Sequence, residues 1–265
     1  MDQFESSEEH PSAHERASGG QEEFLDSTMD PFDTHMDGAG LIGELFGAGN
    51  PEKAVQMAAY MRDQFLFLGL TTPERRAITK SYFSVARRDP RPDWAFVAQC
   101  WALPHREFQY VAADYLFAVR KMLSGEDLER VRALAISKPW WDSVDSLQKS
   151  VSHIVAANPE LKSVMLQWAV DESFWIRRLA IDHQLTWKHL TDEALLATII
   201  ELNLGSTQFF INKAIGWALR DYSKSNPAWV GEFIDAHRAD LSALSIREGS
   251  KYLGNTDNTA AAATT

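Results

Sequence analysis

The chain has 265 residues, enough for one large domain, and 45% of them are hydrophobic, so most of it can bury a core. Its net charge of −11 is uneven: residues 1–50 carry twelve Asp and Glu against the single Arg16, whereas residues 51–265 balance twenty-five acids with twenty-five Lys and Arg. The acidic average therefore does not exclude a polyanionic partner, because phosphate binding needs basic groups gathered on one face.

Residues 1–36, rich in Glu, Ser, Asp and His, predict a disordered arm whose charge serves solubility, the alternative being competition with a polyanion for a basic face. Leu41, Ile42, Leu45 and Phe46 form an apolar patch among glycines and predict a short helix docking on the body, so residues 1–49 make one unit. Asn50-Pro51-Glu52 pairs an N-cap with a first-turn proline and opens a helix to about Gln64. Thr72-Pro73-Glu74 opens a second to about Arg88 in the same way. Further helix starts are read at Asp93, His105, Gly125, Pro139, Pro159, Ser173, Thr191, Ser206, Pro227 and Leu241. No segment keeps the two-residue alternation of a strand, so residues 50–254 read as an all-α body, and 255–265 as a flexible tail.

A longer period runs through the helices. Phe174-Trp175-Ile176 returns as Phe209-Phe210-Ile211 after 35 residues, and Trp140-Trp141 lies 34 residues before Phe174-Trp175. A helix-pair period near 35 predicts a HEAT-like solenoid of antiparallel pairs, with a concave groove lined by every second helix.

Three clusters can carry chemistry. In Pro139-Trp140-Trp141-Asp142-Ser143-Val144-Asp145 the proline suits a first turn, and Asp142 reads as a first-turn acid favouring the helix dipole. Asp145 lies one turn beyond Trp141, which puts indole and carboxylate on one face; spacing alone leaves it either a solvated or ion-paired helix residue or a functional one. In Phe174-Trp175-Ile176-Arg177-Arg178 the two arginines cannot share a face, and Arg178 has Asp182 four residues on as a simple pairing partner. Lys213, Trp217 and Arg220 form a basic-aromatic stripe at i, i+4, i+7, readable as a core indole under two snorkelling cations or as a nucleic-acid-facing surface. His105, His153, His183, His189 and His237 are scattered, and no metal site is expected. Cys100 is the only cysteine, which rules out an intrachain disulfide and a Cys-based metal site. Phosphate-binding glycine loops and nucleophile elbows are absent from the sequence. With no signal-like start and no spanning stretch, a cytoplasmic protein without membrane association is expected.

Together these segments resemble the DNA alkylation repair family, the AlkD-like alkylpurine DNA glycosylases. The matching pieces are Tyr60-Met61-Arg62, Phe67 to Arg76, Arg106-Glu107-Phe108-Gln109-Tyr110, Trp140 to Asp145, Phe174 to Arg178, Phe209 to Trp217, and Leu244-Ser245-Ile246-Arg247-Glu248. They cover about residues 50–254 in order. The resemblance implies a monofunctional glycosylase that needs no cofactor and releases cationic 3- or 7-alkylpurines from double-stranded DNA, beginning base excision repair. It places the catalytic carboxylate at Asp145, its aromatic partners at Trp141 and Trp217, and a DNA-contacting arginine at Arg178. Lys213 beside Arg178 is expected to grip phosphates, Arg220 and Tyr60 are further expected DNA contacts, and a monomer, nucleoid-associated when on DNA, is expected. The sequence departs at Ser146-Leu147-Gln148-Lys149-Ser150-Val151, where the resemblance implies a more apolar continuation. The rival readings are a catalytically inactive relative that binds unusual DNA structures, and a protein-interaction scaffold.

Overall fold

A computed structural model describes residues 36–258 of the chain; the acidic arm and most of the polar tail lie outside the described residues. Thirteen α-helices and short 3-10 turns account for the fold, and no strand occurs among the described residues. Helix α1 (Gly38–Gly47) starts where the Asp37 carboxylate accepts the Gly40 N–H at 2.8 Å. It buries Leu41 and Leu45 and packs on α3, while Phe46 of the same patch stays exposed. Helix α2 (Pro51–Tyr60) has Asn50 as its N-cap and ends four residues short of the expected Gln64, because Arg62 and Asp63 adopt left-handed conformations. Gly69 is also left-handed, and a Cβ there would meet the Asn50 carbonyl oxygen at 1.9 Å, so only glycine allows this loop to close on α2. Glu107, fully buried, fixes the same loop by accepting the N–H groups of Leu68, Gly69 and Leu70.

Two series of helices follow. One comprises α3 (Thr72–Ala86), α5 (Arg106–Ala118), α7 (Trp141–Ala157), α9 (Phe174–Asp182), α11 (Phe209–Tyr222) and α13 (Ala243–Gly249), each packed on the next. The other comprises α4 (Trp94–Ala102), α6 (Leu128–Ile136), α8 (Lys162–Trp168), α10 (Glu193–Glu201) and α12 (Pro227–Ala236), packed against the first. This is the stacking of helix pairs that the 35-residue period predicts. The repeated aromatics meet directly: the Trp140 and Trp175 ring centroids are 6.0 Å apart, and those of Trp175 and Phe210 4.8 Å.

Buried polar groups stitch successive helices of the first series at nearly the same interval. Arg75 bonds Asp114 39 residues on, Arg106 bonds Asp142 after 36, Asp145 bonds Arg178 after 33, and Lys213 bonds Glu248 after 35. Four of the five steps thus carry an ion pair, and the fifth, α9 to α11, is joined by Arg178 donating to the Phe210 carbonyl.

Helix α7 begins later than its proline suggests. Lys138 is left-handed, and its carbonyl accepts a guanidinium N–H of Arg106 at 2.9 Å. Its ammonium meanwhile bonds the Trp101, Ala102 and Leu103 carbonyls, capping the C-terminus of α4. Pro139 is therefore outside the helix, Trp140 is the extended N-cap, and Trp141 is the first helical residue.

Candidate active site

At the start of α7 Asp142 is the first-turn acid the sequence predicts, and the structure adds that it is buried. Its carboxylate is gripped by Arg106, whose Nε and Nη2 donate to its two oxygens at 2.9 and 2.6 Å. The Tyr110 hydroxyl adds a bond at 2.5 Å, and burial together with the Asp142 charge pushes the Tyr110 phenol well above its usual range. Arg106 has no solvent exposure and lies 3.9 Å from the Phe65 ring centroid. These groups lock the first turn of α7, and with it the direction of Trp141 and Asp145.

Trp141, Asp145 and Tyr60 line one cleft of about 720 Å³ bordered by α2, α3, α5 and α7. Tyr60 is 72% exposed and meets Trp141 edge-on at 6.2 Å. On the far side of that ring pair, a second cleft of about 420 Å³ is bounded by Arg62, Trp140, Phe209 and Phe210.

Asp145 retains 23% side-chain exposure, and both its oxygens are held by one arginine: Arg178 Nε donates to Oδ1 at 2.7 Å and Nη2 to Oδ2 at 2.9 Å. Such bidentate pairs fix orientation as well as charge. Each carboxylate oxygen accepts one N–H and keeps a further lone pair. Burial pushes the Asp145 carboxyl upward, Arg178 opposes it, and the nearby Asp142 charge adds to the rise. Burial works against the Arg178 charge, yet Asp182 and Asp145 outweigh it and hold the guanidinium above its ordinary value. Asp182 lies 3.7 Å from Arg178 Nε, and its complete burial raises it to about 7. Two carboxylates thus share one guanidinium, and burial raises both of them.

Arg178 is 2% exposed, and its Nη1 donates to the Phe210 carbonyl at 2.8 Å, so it holds Asp145 and ties α9 to α11. Trp217 does not line the 720 Å³ cleft; its ring centroid lies 5.1 Å from Arg178 and 5.8 Å from both Lys213 and Arg220. The basic-aromatic stripe therefore exists, with Glu248 of α13 set between its cations, accepting from Lys213 and Arg220 at 2.7 Å each and offsetting one of their two charges. Gly216 makes this possible, since a Cβ there would stand 2.6 Å from the Cβ of Glu248.

A chain of positioned groups therefore runs from Tyr60 through Trp141 to Asp145, and from Asp145 through Arg178 to Trp217. The sequence pattern of the family described as DNA alkylation repair enzyme matches residues 41–253, from within α1 to just past α13. The chain belongs to that family. Among solved structures, it is similar to a predicted DNA alkylation repair enzyme from Enterococcus faecalis, at 38% identity and a TM-score of 0.73 over 78% of this chain and 97% of that one. No curated protein matches the chain. Membership assigns this family protein a role in repair of alkylated DNA. Among the described residues no helix is long and apolar enough to cross a membrane.

Sequence reasoning assigns Arg106, Asp142 and Tyr110 no part in building the site, although the Arg106–Tyr110 and Trp140–Asp145 pieces carry the family resemblance. A second signal is that Arg106 precedes Asp142 by nearly the interval that separates Asp145 from Arg178.

Proposed function

We propose that this protein is a monofunctional DNA glycosylase, hydrolysing the N-glycosidic bond of cationic 3- and 7-alkylpurines in duplex DNA. The observation that carries the reading is the Asp145 carboxylate, fixed through both oxygens by Arg178 yet still open at an aromatic-walled cleft.

An alkylated purine that already bears a positive charge needs no proton to leave. The C1′–N bond breaks with its electron pair passing to the purine, which departs neutral, while the sugar gains oxocarbenium character. Ionised Asp145 stabilises that charge and orients a water, whose oxygen bonds to C1′ and whose proton passes to solvent. Trp141 offers a π face to the cationic base or sugar, a contact of ~0.5–2 kcal/mol. Arg178 is a positioning residue, which keeps Asp145 charged and aimed, and Trp217 packs behind it. Tyr60, exposed at the cleft edge, is suited to packing on the duplex.

Because Asp145 acts as an anion and its carboxyl is pushed upward, activity should fall as pH drops through that raised value. The direct test incubates the protein with duplex DNA treated with a methylating agent and separates the released bases. Free 3-methyladenine and 7-methylguanine are expected; bases retained in the duplex at stoichiometric protein would refute the reading.

A further inference from the structure

Most cations in the candidate active site already have a carboxylate partner. Lys53 is paired with Glu74, Arg75 and Arg76 with Asp114, Arg106 with Asp142, Arg178 with Asp145, and Lys213 and Arg220 with Glu248. Phosphates compete poorly for cations already held in this way. Yet DNA binding requires groups that can exchange counterions for phosphate.

Two places are built differently: Arg62 stands alone in the cleft of about 420 Å³, whereas another cleft gathers three basic side chains. A cleft of about 360 Å³ adjoins the candidate active site, sharing Phe117 and Lys149 with it. Arg120, Lys149 and His153 line this cleft, and no carboxylate does. Among the described residues, none of the three makes an ion pair. Arg120 donates one N–H to the Phe117 carbonyl at 2.9 Å, leaving its other donors unassigned, and Lys149 lies 5.6 Å from the Phe117 ring centroid. Burial, then the neighbouring charges of Arg120 and Lys121, holds His153 below its ordinary value, as expected where positive charge lacks a counterion.

The opposite wall is a strained turn. Thr186, a β-branched residue, has φ +72°, and Lys188 has φ +58°. This conformation is fixed from two sides: Asp221 accepts the Thr186 N–H at 2.6 Å, and the Trp187 indole donates to Ser152 Oγ at 2.8 Å. Strain of this kind persists where the surroundings over-determine it, often beside binding sites.

Helix α7 links this cleft to Asp145. Trp141, Asp145, Lys149 and His153 follow one another at four-residue steps, so Lys149 and His153 stand roughly 6 and 12 Å farther along the helix axis than Asp145. That distance is about two to four base-pair steps of a DNA strand.

We infer that the Arg120–Lys149–His153 cleft binds the phosphodiester backbone of duplex DNA beside the reacting nucleotide. It supplies the electrostatic grip that the paired cations around Asp145 and Trp217 do not. This rests on the reading of the protein as acting on DNA, but it does not require base release to be the outcome.

The test is anisotropy with unmodified duplex DNA across a salt series, using the full chain and its Lys149→Ala, His153→Gln and Lys149→Arg forms. Lys80→Ala, on the exposed face of α3, serves as the control. Lys149→Ala should weaken binding about 3- to 10-fold at moderate salt and reduce the slope of log K against log salt by roughly one. His153→Gln should weaken it less, Lys149→Arg should restore most of the affinity, and Lys80→Ala should match the unmodified chain. Wild-type affinity and slope for Lys149→Ala, or an equal loss for Lys80→Ala, would overturn the inference. Failure of the glycosylase reading would instead appear as no released base from a protein that still shows these binding differences.

Discussion

Replacing Arg106 by Met would test how the first turn of α7 is held. The guanidinium makes four bonds to buried partners: two to Asp142, one to Ser143 Oγ at 2.7 Å, and one to the Lys138 carbonyl at 2.9 Å. Methionine keeps much of the stem volume and its packing near Phe65 but leaves Asp142 buried with only the Tyr110 hydroxyl for support. Removing one partner of a buried pair costs about 3–5 kcal/mol, because an uncompensated charge or an enforced protonation remains. Against a domain stability of about 5–15 kcal/mol that loss is large, and for a chain of this size it lowers the melting temperature by about 2–4 °C per kcal/mol. Urea unfolding followed by far-UV circular dichroism gives the free energy directly. The double variant Arg106→Met/Asp142→Leu should lose less than the single one, since no orphan charge remains. A single-variant loss under about 1 kcal/mol, or a double-variant loss equal to the sum of the two single ones, would refute this account of α7.

Asp182 gives a pH signature. Its folded value of about 7 lies above the unfolded value of about 3.9, so the stability it contributes is present in full below pH 4 and is lost as pH rises through 7. Asp182→Asn should therefore gain on the order of 2–3 kcal/mol relative to the parent between pH 5 and 8. Denaturant midpoints at those two pH values check it, and an unchanged difference would refute it. The neighbouring His183, held down to about 4 by burial, acts in the opposite sense, losing stability as pH falls below about 6.5, but it cancels in this comparison. Cys100 is fully buried, and burial pushes its thiol up to about 12, so it should resist an aromatic disulfide reagent in the native protein and react at the rate of global unfolding. Rapid native labelling would show that α4 opens locally.

The local signals in the sequence were strong where backbone chemistry is local. Asn50 before its proline marks the N-cap of α2, and the starts read at Thr72-Pro73-Glu74 and Pro227 coincide with those of α3 and α12. The period near 35 residues is legible because aromatic residues recur at the starts of α7, α9 and α11, where Trp140, Trp175 and Phe210 pack together. What stayed hidden depends on partners about one repeat away. Asp142 reads only as a dipole-favouring acid until Arg106 is brought against it, and the left-handed Lys138 that delays α7 is held by contacts to α4 and Arg106. The stripe of Lys213, Trp217 and Arg220 reads as free positive surface until α13 delivers Glu248. Conversely, Lys149 lay in the segment where the sequence departs from the expected apolar pattern, and that departure places a cation on the wall shared by two clefts.

On the proposed function, base release depends on Asp145 held by Arg178. The decisive assay is single-turnover release of 7-methylguanine by Asp145→Asn, with affinity for the same duplex measured in parallel. The asparagine keeps the shape of the side chain and removes its charge. A drop of about 10²- to 10³-fold in rate is expected, as for loss of one preorganised electrostatic group, with affinity within about threefold of the parent. Release at the parental rate would exclude Asp145 from the chemistry.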